Sequence, residues 1–151
     1  MNILIDGRVL DQTNVGIAIY LRELMPYFNL YFEEVGVLHK NKQVGDFYQK
    51  YGYEWIKCKY SLTDGYVKSI CETQNILCKG KWDIFYSPTW FPRVVKKCKK
   101  TKIVVTMHDL IYLEESTTLA RYLKAYFSTL VGGLISNKII LSNNYEYSIT
   151  T

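Results

Sequence analysis

The segment Ile103-Val104-Val105-Thr106-Met107-His108-Asp109 is a largely apolar run that ends in an imidazole and a carboxylate. Polar and apolar residues do not alternate along it, which predicts a strand buried on both faces of a sheet. Similar short runs occur elsewhere in the chain. They are Ile3–Ile5, Val35–Leu38, Ile84–Tyr86 and Ile139–Leu141. These strands decide the fold, because a sheet built from them must be covered on both sides.

Three segments between the predicted strands have the apolar spacing of an amphipathic helix. The spacing of three and four residues is clear in Ile17–Phe28, weaker in Val67–Cys78 and strong in Leu119–Leu134. Strands that alternate with helices predict an α/β fold with a mostly parallel sheet, right-handed crossovers and helices on both faces. We therefore expect a Rossmann-like domain.

Further segments carry weaker signals. Val44–Tyr51 and Glu54–Lys57 predict an additional short helix and a strand, although the polar stretch Lys57–Asp64 leaves their boundary open. Ser142-Asn143-Asn144 follows the last predicted strand and is typical of a helix N-cap. We expect a helix to begin there, with few residues left to complete it.

Length and composition indicate one folded domain. A chain of 151 residues with 48% hydrophobic residues can bury a substantial core, and 22% charged residues argue against disorder. We expect a single domain over residues 1–151. The apolar start Met1–Ile5 is too short for a signal peptide, and the stretch Leu130–Ile135 is too short to cross a bilayer. The expected location is therefore the cytoplasm.

The chain has four cysteines, Cys58, Cys71, Cys78 and Cys98. None of them forms a CxxC pair or has a histidine at ligand spacing, so no zinc site is predicted. Since no export signal is present, we interpret them as the free thiols of a cytosolic protein, with disulfides as the less favoured alternative.

The formal net charge of +5 is unevenly distributed, because six basic residues lie within ten positions. They are Arg93, Lys96, Lys97, Lys99, Lys100 and Lys102. Such a cluster is either a solvated loop or a contact surface for an anionic membrane, which would place the protein at the inner membrane face. A nucleic-acid partner is not predicted, because no nucleic-acid motif accompanies the cluster.

Ligands of open parallel sheets bind beyond the carboxyl ends of the strands, where the loops converge. Two segments follow the first predicted strand, Asp6-Gly7-Arg8 and Asn14-Val15-Gly16. Ser87–Pro92 and His108-Asp109 follow two of the later strands. We expect these segments to share one rim of the sheet.

Gly16 precedes the first predicted helix. A glycine there permits close backbone approach to a phosphate at the helix N-terminus, or it only lets the loop turn into the helix. A dinucleotide fingerprint requires G-x-G-x-x-G directly after the first strand, but here the loop is longer and Ala18 replaces a second glycine. A nicotinamide-dependent enzyme is therefore disfavoured.

Other polar and aromatic side chains at the expected rim have two interpretations each. His108 and Asp109 contact a ligand, or His108 is structural and Asp109 caps the following turn. Trp90 and Phe91 stack on a sugar or lipid, or they anchor their loop by packing, which is the favoured interpretation.

Several segments resemble the bacterial glycosyltransferases of family 4, also called group 1. The similar segments, in the family's order, are Ile3–Arg8, Val15–Leu24, Asp83–Pro88, Val104–Tyr112 and Ile139–Asn143. The resemblance covers nearly the whole chain and implies one half of a GT-B fold, in which two Rossmann-like domains face each other across a cleft. The first domain of such an enzyme binds the acceptor, and the second binds the nucleotide-sugar donor.

The resemblance also implies an activity and the residues that serve it. The implied reaction is sugar transfer from a nucleotide-sugar to a glycan or lipid-linked acceptor in cell-surface polysaccharide synthesis, with retention of configuration and without a required metal or cofactor. His108 and Asp109 are the expected catalytic residues, with His108 in contact with the transferred sugar, and Gly16 approaches the donor diphosphate through its backbone. The expected substrate-binding residues are Gly16, Ser87, Thr89 and Trp90.

Two features depart from the family pattern. Ala18 and Ile19 stand where the family often has a second glycine and a basic residue. Family members also continue through a second domain with paired glutamates, and no Glu of this chain is followed eight positions later by another Glu. We therefore expect the donor site on a second domain or partner chain, and little turnover by this chain alone. The alternative is a non-catalytic module that binds a glycan, a lipid or a protein.

Overall fold

A computed structural model describes residues 1–11, 16–41, 51–98, 100–108 and 118–141. These residues form one six-stranded sheet in which every neighbouring pair is parallel. The strands are β1 (Asn2–Asp6), β2 (Glu34–His39), β3 (Glu54–Lys57), β4 (Ile84–Ser87), β5 (Lys102–Met107) and β6 (Lys138–Leu141). Their order in the sheet is β3-β2-β1-β4-β5-β6. The predicted α/β, Rossmann-like fold is confirmed.

Three helices flank the sheet. They are α1 (Gly16–Leu24), α2 (Tyr66–Lys79) and α3 (Leu119–Ile135). Helix α1 continues as a 3-10 turn at Met25–Tyr27 and a further helical turn at Phe28–Tyr31. Another 3-10 turn, Gly7–Asp11, follows β1. All three predicted helices are therefore present, and the first one changes its winding at Pro26, which lacks a backbone donor.

The weaker sequence signals have different outcomes. The predicted strand Glu54–Lys57 is β3 and lies at one edge of the sheet. The predicted helix over Val44–Tyr51 lies outside the described residues except for its last position, and the predicted N-cap at Ser142-Asn143-Asn144 lies wholly outside them.

Each face of the sheet has its own apolar cluster. On one face, Leu21 of α1 packs with Ile5 of β1, and on the other face Leu77 of α2 packs with Leu4 and Phe85. Neighbouring residues of the same strand therefore enter different cores. This arrangement explains why the inner strands are largely apolar instead of alternating. The prediction of a strand buried on both faces is wrong for β6, whose four residues are all exposed among the described residues.

The structure contradicts the interpretation of all four cysteines as free thiols. Cys78 and Cys98 form a disulfide across 20 positions of sequence, with their Cα atoms 5.3 Å apart. Packing of α2 beside the segment that leads into β5 brings the two residues together, which their spacing in the sequence does not reveal. Cys58 and Cys71 are free, the first buried and the second exposed.

The β6 edge of the sheet and helix α3 expose large apolar side chains. Leu119, Phe127 and Leu134 of α3 and Leu141 of β6 are each at least 60% exposed. Within the described part of the chain, no helix has both the length and the apolar character needed to cross a bilayer.

Candidate functional site

The candidate site is the rim at the carboxyl ends of the parallel strands. Because all six strands run in one direction, their carboxyl ends lie on the same side of the sheet. Asp6 of β1, Ser87 of β4 and His108 after β5 therefore share this rim. The predicted convergence of these segments therefore occurs. Asp109 and the loop residues Asn14 and Val15 lie outside the described residues.

His108 joins three segments of this rim. Its Nε2 lies 2.9 Å from the carbonyl oxygen of Pro88, in the loop after β4. Since a carbonyl oxygen only accepts, Nε2 carries the proton in this hydrogen bond, and Nδ1 carries the lone pair when the ring is neutral. The ring of Tyr20 in α1 meets the imidazole edge-on, with 5.0 Å between the ring centroids. The half-buried His108 is thus oriented by both neighbours.

Gly16 lies at the start of the helix that carries Tyr20. It is exposed, and a Cβ atom at this position would meet no atom of the described residues within 4 Å. Tyr20 follows four residues later, about 6 Å along the helix axis. The first turn of α1, whose backbone N–H groups favour anions, therefore opens beside the rim.

The hydroxyl groups of Ser87 and Thr89 shape the loop after β4. Ser87 is buried, and its Oγ donates to the carbonyl oxygen of Thr89 at 2.9 Å. Thr89 Oγ1 donates to the carbonyl oxygen of Phe91 at 3.3 Å. Both predicted substrate-binding side chains therefore already hold the backbone that presents the Pro88 carbonyl to His108.

The ring of Trp90 packs beneath the loop. Trp90 is 8% exposed and belongs to the same apolar cluster as Leu77. Helix α3 passes so close that a Cβ atom at Gly132 would lie 2.7 Å from the Trp90 carbonyl oxygen. The structure thus shows the packing alternative for Trp90, and a sugar stacked on its ring would have to displace α3.

A buried ion pair between Arg8 and Asp6 lies beneath the rim, and the sequence analysis did not predict it. Arg8 is 1% exposed; its Nε donates to Asp6 Oδ1 at 2.8 Å and its Nη2 to Asp6 Oδ2 at 2.7 Å. The guanidinium also donates to Ser69 Oγ at 3.0 Å and to Thr73 Oγ1 at 2.8 Å, both on α2. Burial opposes the charge, but the Asp6 carboxylate outweighs it, so the pKa of Arg8 lies above its usual value. The network fixes the turn after β1 on α2.

Arg93 departs from the basic surface predicted for it. Its guanidinium is half-buried, with Nη2 donating to the Leu62 carbonyl oxygen at 2.7 Å and Cζ lying 4.3 Å from the centre of the Tyr66 ring. Burial lowers the pKa of Arg93 below its usual value. Arg93 therefore anchors the loop after β4 to the start of α2 and does not join the lysines in solvent.

The lysines of the basic cluster lead into the amino end of β5, whereas His108 follows its carboxyl end. Lys102 is the first residue of the strand. A strand of six residues spans about 20 Å, so the amino and carboxyl ends of the sheet are that far apart. The exposed members of the cluster are Lys96, Lys97, Lys100 and Lys102, whereas Lys99 lies outside the described residues. Membrane contact through these lysines would take place away from the rim.

An apolar groove of about 330 Å³ runs between α1 and the sheet. Its lining includes Tyr20, Leu24, Tyr27, Phe28, Tyr86 and Ile140. Tyr20 lines the groove and also contacts His108, so one end of the groove meets the rim. The described residues contain no group of three or more His, Cys, Asp or Glu side chains that could hold a metal ion.

Comparison with known proteins finds no matching protein-family model, no matching curated protein and no matching solved structure. A functional assignment therefore depends on the geometry of the rim.

Proposed function

We propose that this chain is the acceptor-side domain of a retaining glycosyltransferase of the GT-B type, which transfers a sugar from a nucleotide-sugar to a glycan or lipid-linked acceptor. The observation that carries the proposal is the position of His108. A parallel strand delivers its imidazole to the carboxyl edge of the sheet, where it contacts Pro88 and Tyr20. Three of the segments that resemble family 4 therefore meet at one point.

The proposed chemistry assigns each rim segment a task. In the transfer, the bond from the anomeric carbon to the donor diphosphate breaks, and an acceptor hydroxyl forms its new bond on the same face of the sugar. His108 contacts the sugar, and the open backbone at Gly16 offers N–H donors to the departing diphosphate. The charge of Arg8 is balanced by Asp6, so the main neutralisation of the diphosphate is assigned to the second domain.

The apolar groove supports a lipid-linked acceptor. Its aromatic lining ends at Tyr20, so an apolar carrier in the groove would place its linked sugar beside His108. The exposed lysines support a contact with an anionic membrane. This contact is separate from the groove's, because the lysines lie towards the amino ends of the strands. These two interactions are proposed independently of each other.

The histidine is tested by two substitutions in the assembled enzyme, that is, this chain together with its donor domain. His108→Ala removes both the ring and the hydrogen bond to Pro88, whereas the amide nitrogen of His108→Gln replaces Nε2 as donor. We expect both variants to lose at least about 100-fold in kcat, since a sugar contact in the transition state requires the ring. Full activity of His108→Gln would assign His108 to loop support alone and contradict the proposed role.

A specific observation favours a second candidate, a non-catalytic binding module derived from such a domain. Ile19, at the position where the family often has a basic residue, is 52% exposed on α1. An exposed isoleucine suits an apolar ligand better than a diphosphate. This candidate predicts that the chain binds its ligand alone and that adding a donor domain restores no transfer.

A further inference from the structure

Gln74 and the Cys78–Cys98 disulfide together hold one segment of chain against α2. Gln74 Oε1 accepts from the backbone N–H groups of Val95 and Lys96, at 3.1 Å each, and its Nε2 donates to the Lys96 carbonyl oxygen at 2.9 Å. The same Nε2 lies 3.1 Å from the Sγ atom of Cys78 and 3.2 Å from that of Cys98. One side chain and one covalent bond thus fix the segment Val95–Cys98.

A polar surface pocket opens onto this disulfide. Its volume is about 420 Å³, which is within the range of small-molecule sites. The lining includes Cys78, Cys98, Lys81, Asp83, Lys100 and Thr101. Because both cysteines line the pocket and Cys78 is the more exposed residue, we expect a small molecule in the pocket to reach the Cys78 sulfur while the sheet stays folded.

We propose that the Cys78–Cys98 disulfide is a thiol–disulfide exchange site, at which a small dithiol reductant releases the segment Val95–Cys98 from α2 while the sheet stays folded. A thiolate of the reductant attacks Cys78 Sγ, the Cys78–Cys98 bond breaks, and Cys98 leaves as a thiolate. The second thiol of the reductant then attacks its own sulfur in the mixed disulfide and releases Cys78. Two electrons pass to the protein, the reductant becomes a disulfide, and its two protons are taken up by the cysteine thiolates.

The surroundings of Cys98 favour its departure as an anion. The Gln74 Nε2 lies within hydrogen-bond distance of both sulfur atoms, so it stabilises whichever thiolate forms. Both cysteines have lysines beside them in the chain, Lys79 after Cys78 and Lys97 before Cys98, and neighbouring cations stabilise a thiolate. Because Cys78 is the more exposed of the two, attack on its sulfur is the expected direction of the exchange.

Reduction is expected to act locally. The hydrogen bonds from the backbone of Val95 and Lys96 to Gln74 do not involve sulfur, but without the disulfide they alone hold the segment against α2 and open more often. The rim with His108 lies at the carboxyl ends of the strands, and the disulfide lies near their amino ends. The inference is thus independent of the proposed sugar transfer and can be tested without it.

The test uses the purified chain, prepared in air without reductant, with dithiothreitol as the probe. Thiol titration in denaturant should count two thiols before treatment and four afterwards, in agreement with free Cys58 and Cys71. Treatment under native conditions should raise amide hydrogen exchange at Val95 and Lys96 at least about tenfold and leave the amides of β1 unchanged. Cys71→Ser is the matched control, since it removes an exposed thiol of α2 and should leave the response intact.

Three results would overturn the proposal. They are four thiols before any reductant is added, reduction that occurs only after unfolding by denaturant, and native reduction with no change in exchange at Val95 and Lys96. The double variant Cys78→Ser with Cys98→Ser should reproduce the hydrogen-exchange pattern of the reduced chain. Dithiothreitol should not change this pattern. If this variant does not fold, the reduced natural chain still supplies the decisive measurement.

Discussion

Arg8 keeps a charge in the interior of the domain because every face of its guanidinium has a polar partner. Asp6 balances the charge and accepts from Nε and Nη2, Ser69 accepts from Nη1, and Thr73 accepts from Nη2 as well. The sequence shows Asp6 and Arg8 two positions apart at a strand end, but their partners on α2 lie more than 60 positions away. Such a network depends on tertiary packing, and so the sequence could not predict it.

Removal of one member of this buried pair should destabilise the fold strongly. We expect Arg8→Met to lower the free energy of unfolding by about 3–5 kcal/mol, because the Asp6 carboxylate then stays buried without a counter-charge. The measurement is urea denaturation. The matched control is Lys81→Met, whose ion pair with Glu34 is half exposed and should leave the urea midpoint nearly unchanged. Adding Asp6→Leu to Arg8→Met should recover much of the loss. Equal urea midpoints for Arg8→Met and Lys81→Met would contradict the stabilising role of the buried pair.

Two buried acids predict a loss of stability at alkaline pH. Burial, more than neighbouring charges, raises the pKa of the Cys58 thiol from 9.0 to about 12 and that of the Tyr53 phenol from 10.0 to about 12. The unfolded chain releases these protons first, so the urea midpoint should fall as pH rises from about 9 towards 12. Cys58→Ser should flatten this decline, and the exposed Cys71→Ser should not. If the urea midpoints of the unsubstituted chain, Cys58→Ser and Cys71→Ser fall in parallel as pH rises, Cys58 does not cause the decline.

At the scale of elements, the strands were predictable because two cores bury both faces of the central strands, which makes most of their positions apolar. β3 gave a weaker signal because it lies at an edge and its residues are at most half-buried. The disulfide was not predicted, because pairing Cys78 with Cys98 requires the packing of α2 beside the segment before β5. The rim was predictable from strand direction, whereas the burial of Trp90 depends on where α3 lies.

Helix α3 offers a matched pair of glycines that tests its docking. A side chain at Gly132 would collide with the Trp90 carbonyl oxygen at 2.7 Å, whereas a Cβ atom at Gly133 would have no described atom within 4 Å. Gly133→Ala should stabilise the protein by about 0.5–1 kcal/mol, because alanine loses less backbone entropy in a helix. Gly132→Ala should lower the thermal midpoint despite the same helical gain. A higher midpoint for Gly132→Ala would contradict the close approach of α3 to Trp90.

At the scale of the whole molecule, the basic cluster and the rim lie apart. The charge pattern predicted the cluster and the strand ends predicted the rim, and about 20 Å separates Lys102 from His108 because they stand at the two ends of β5. Arg93 also changes its role, since Leu62 and Tyr66 hold it inside the domain. The resemblance to family 4 stays a prediction, supported by the meeting of its segments at His108.

The exposed lysines should direct binding to anionic vesicles. We expect the chain to bind phosphatidylcholine vesicles that contain phosphatidylglycerol more tightly than neutral ones, with salt weakening the difference. The double variant Lys97→Glu with Lys100→Glu should lose at least about tenfold in partitioning, since each lysine near such a surface contributes about 1 kcal/mol. Lys57→Glu with Lys59→Glu is the matched control, because it makes the same charge change at the carboxyl end of β3. Equal losses in both variants would refute a specific lysine surface.

Sugar transfer by this chain, measured alone and together with a donor domain, distinguishes a glycosyltransferase domain from a binding module. The donor domain is sought in the product of the adjoining reading frame, and transfer is measured with labelled nucleotide-sugars and a membrane extract as acceptor. We expect no transfer by the chain alone, transfer by the two together, and loss of that transfer on His108→Ala. Robust transfer by the isolated chain, or none by the pair, would contradict it.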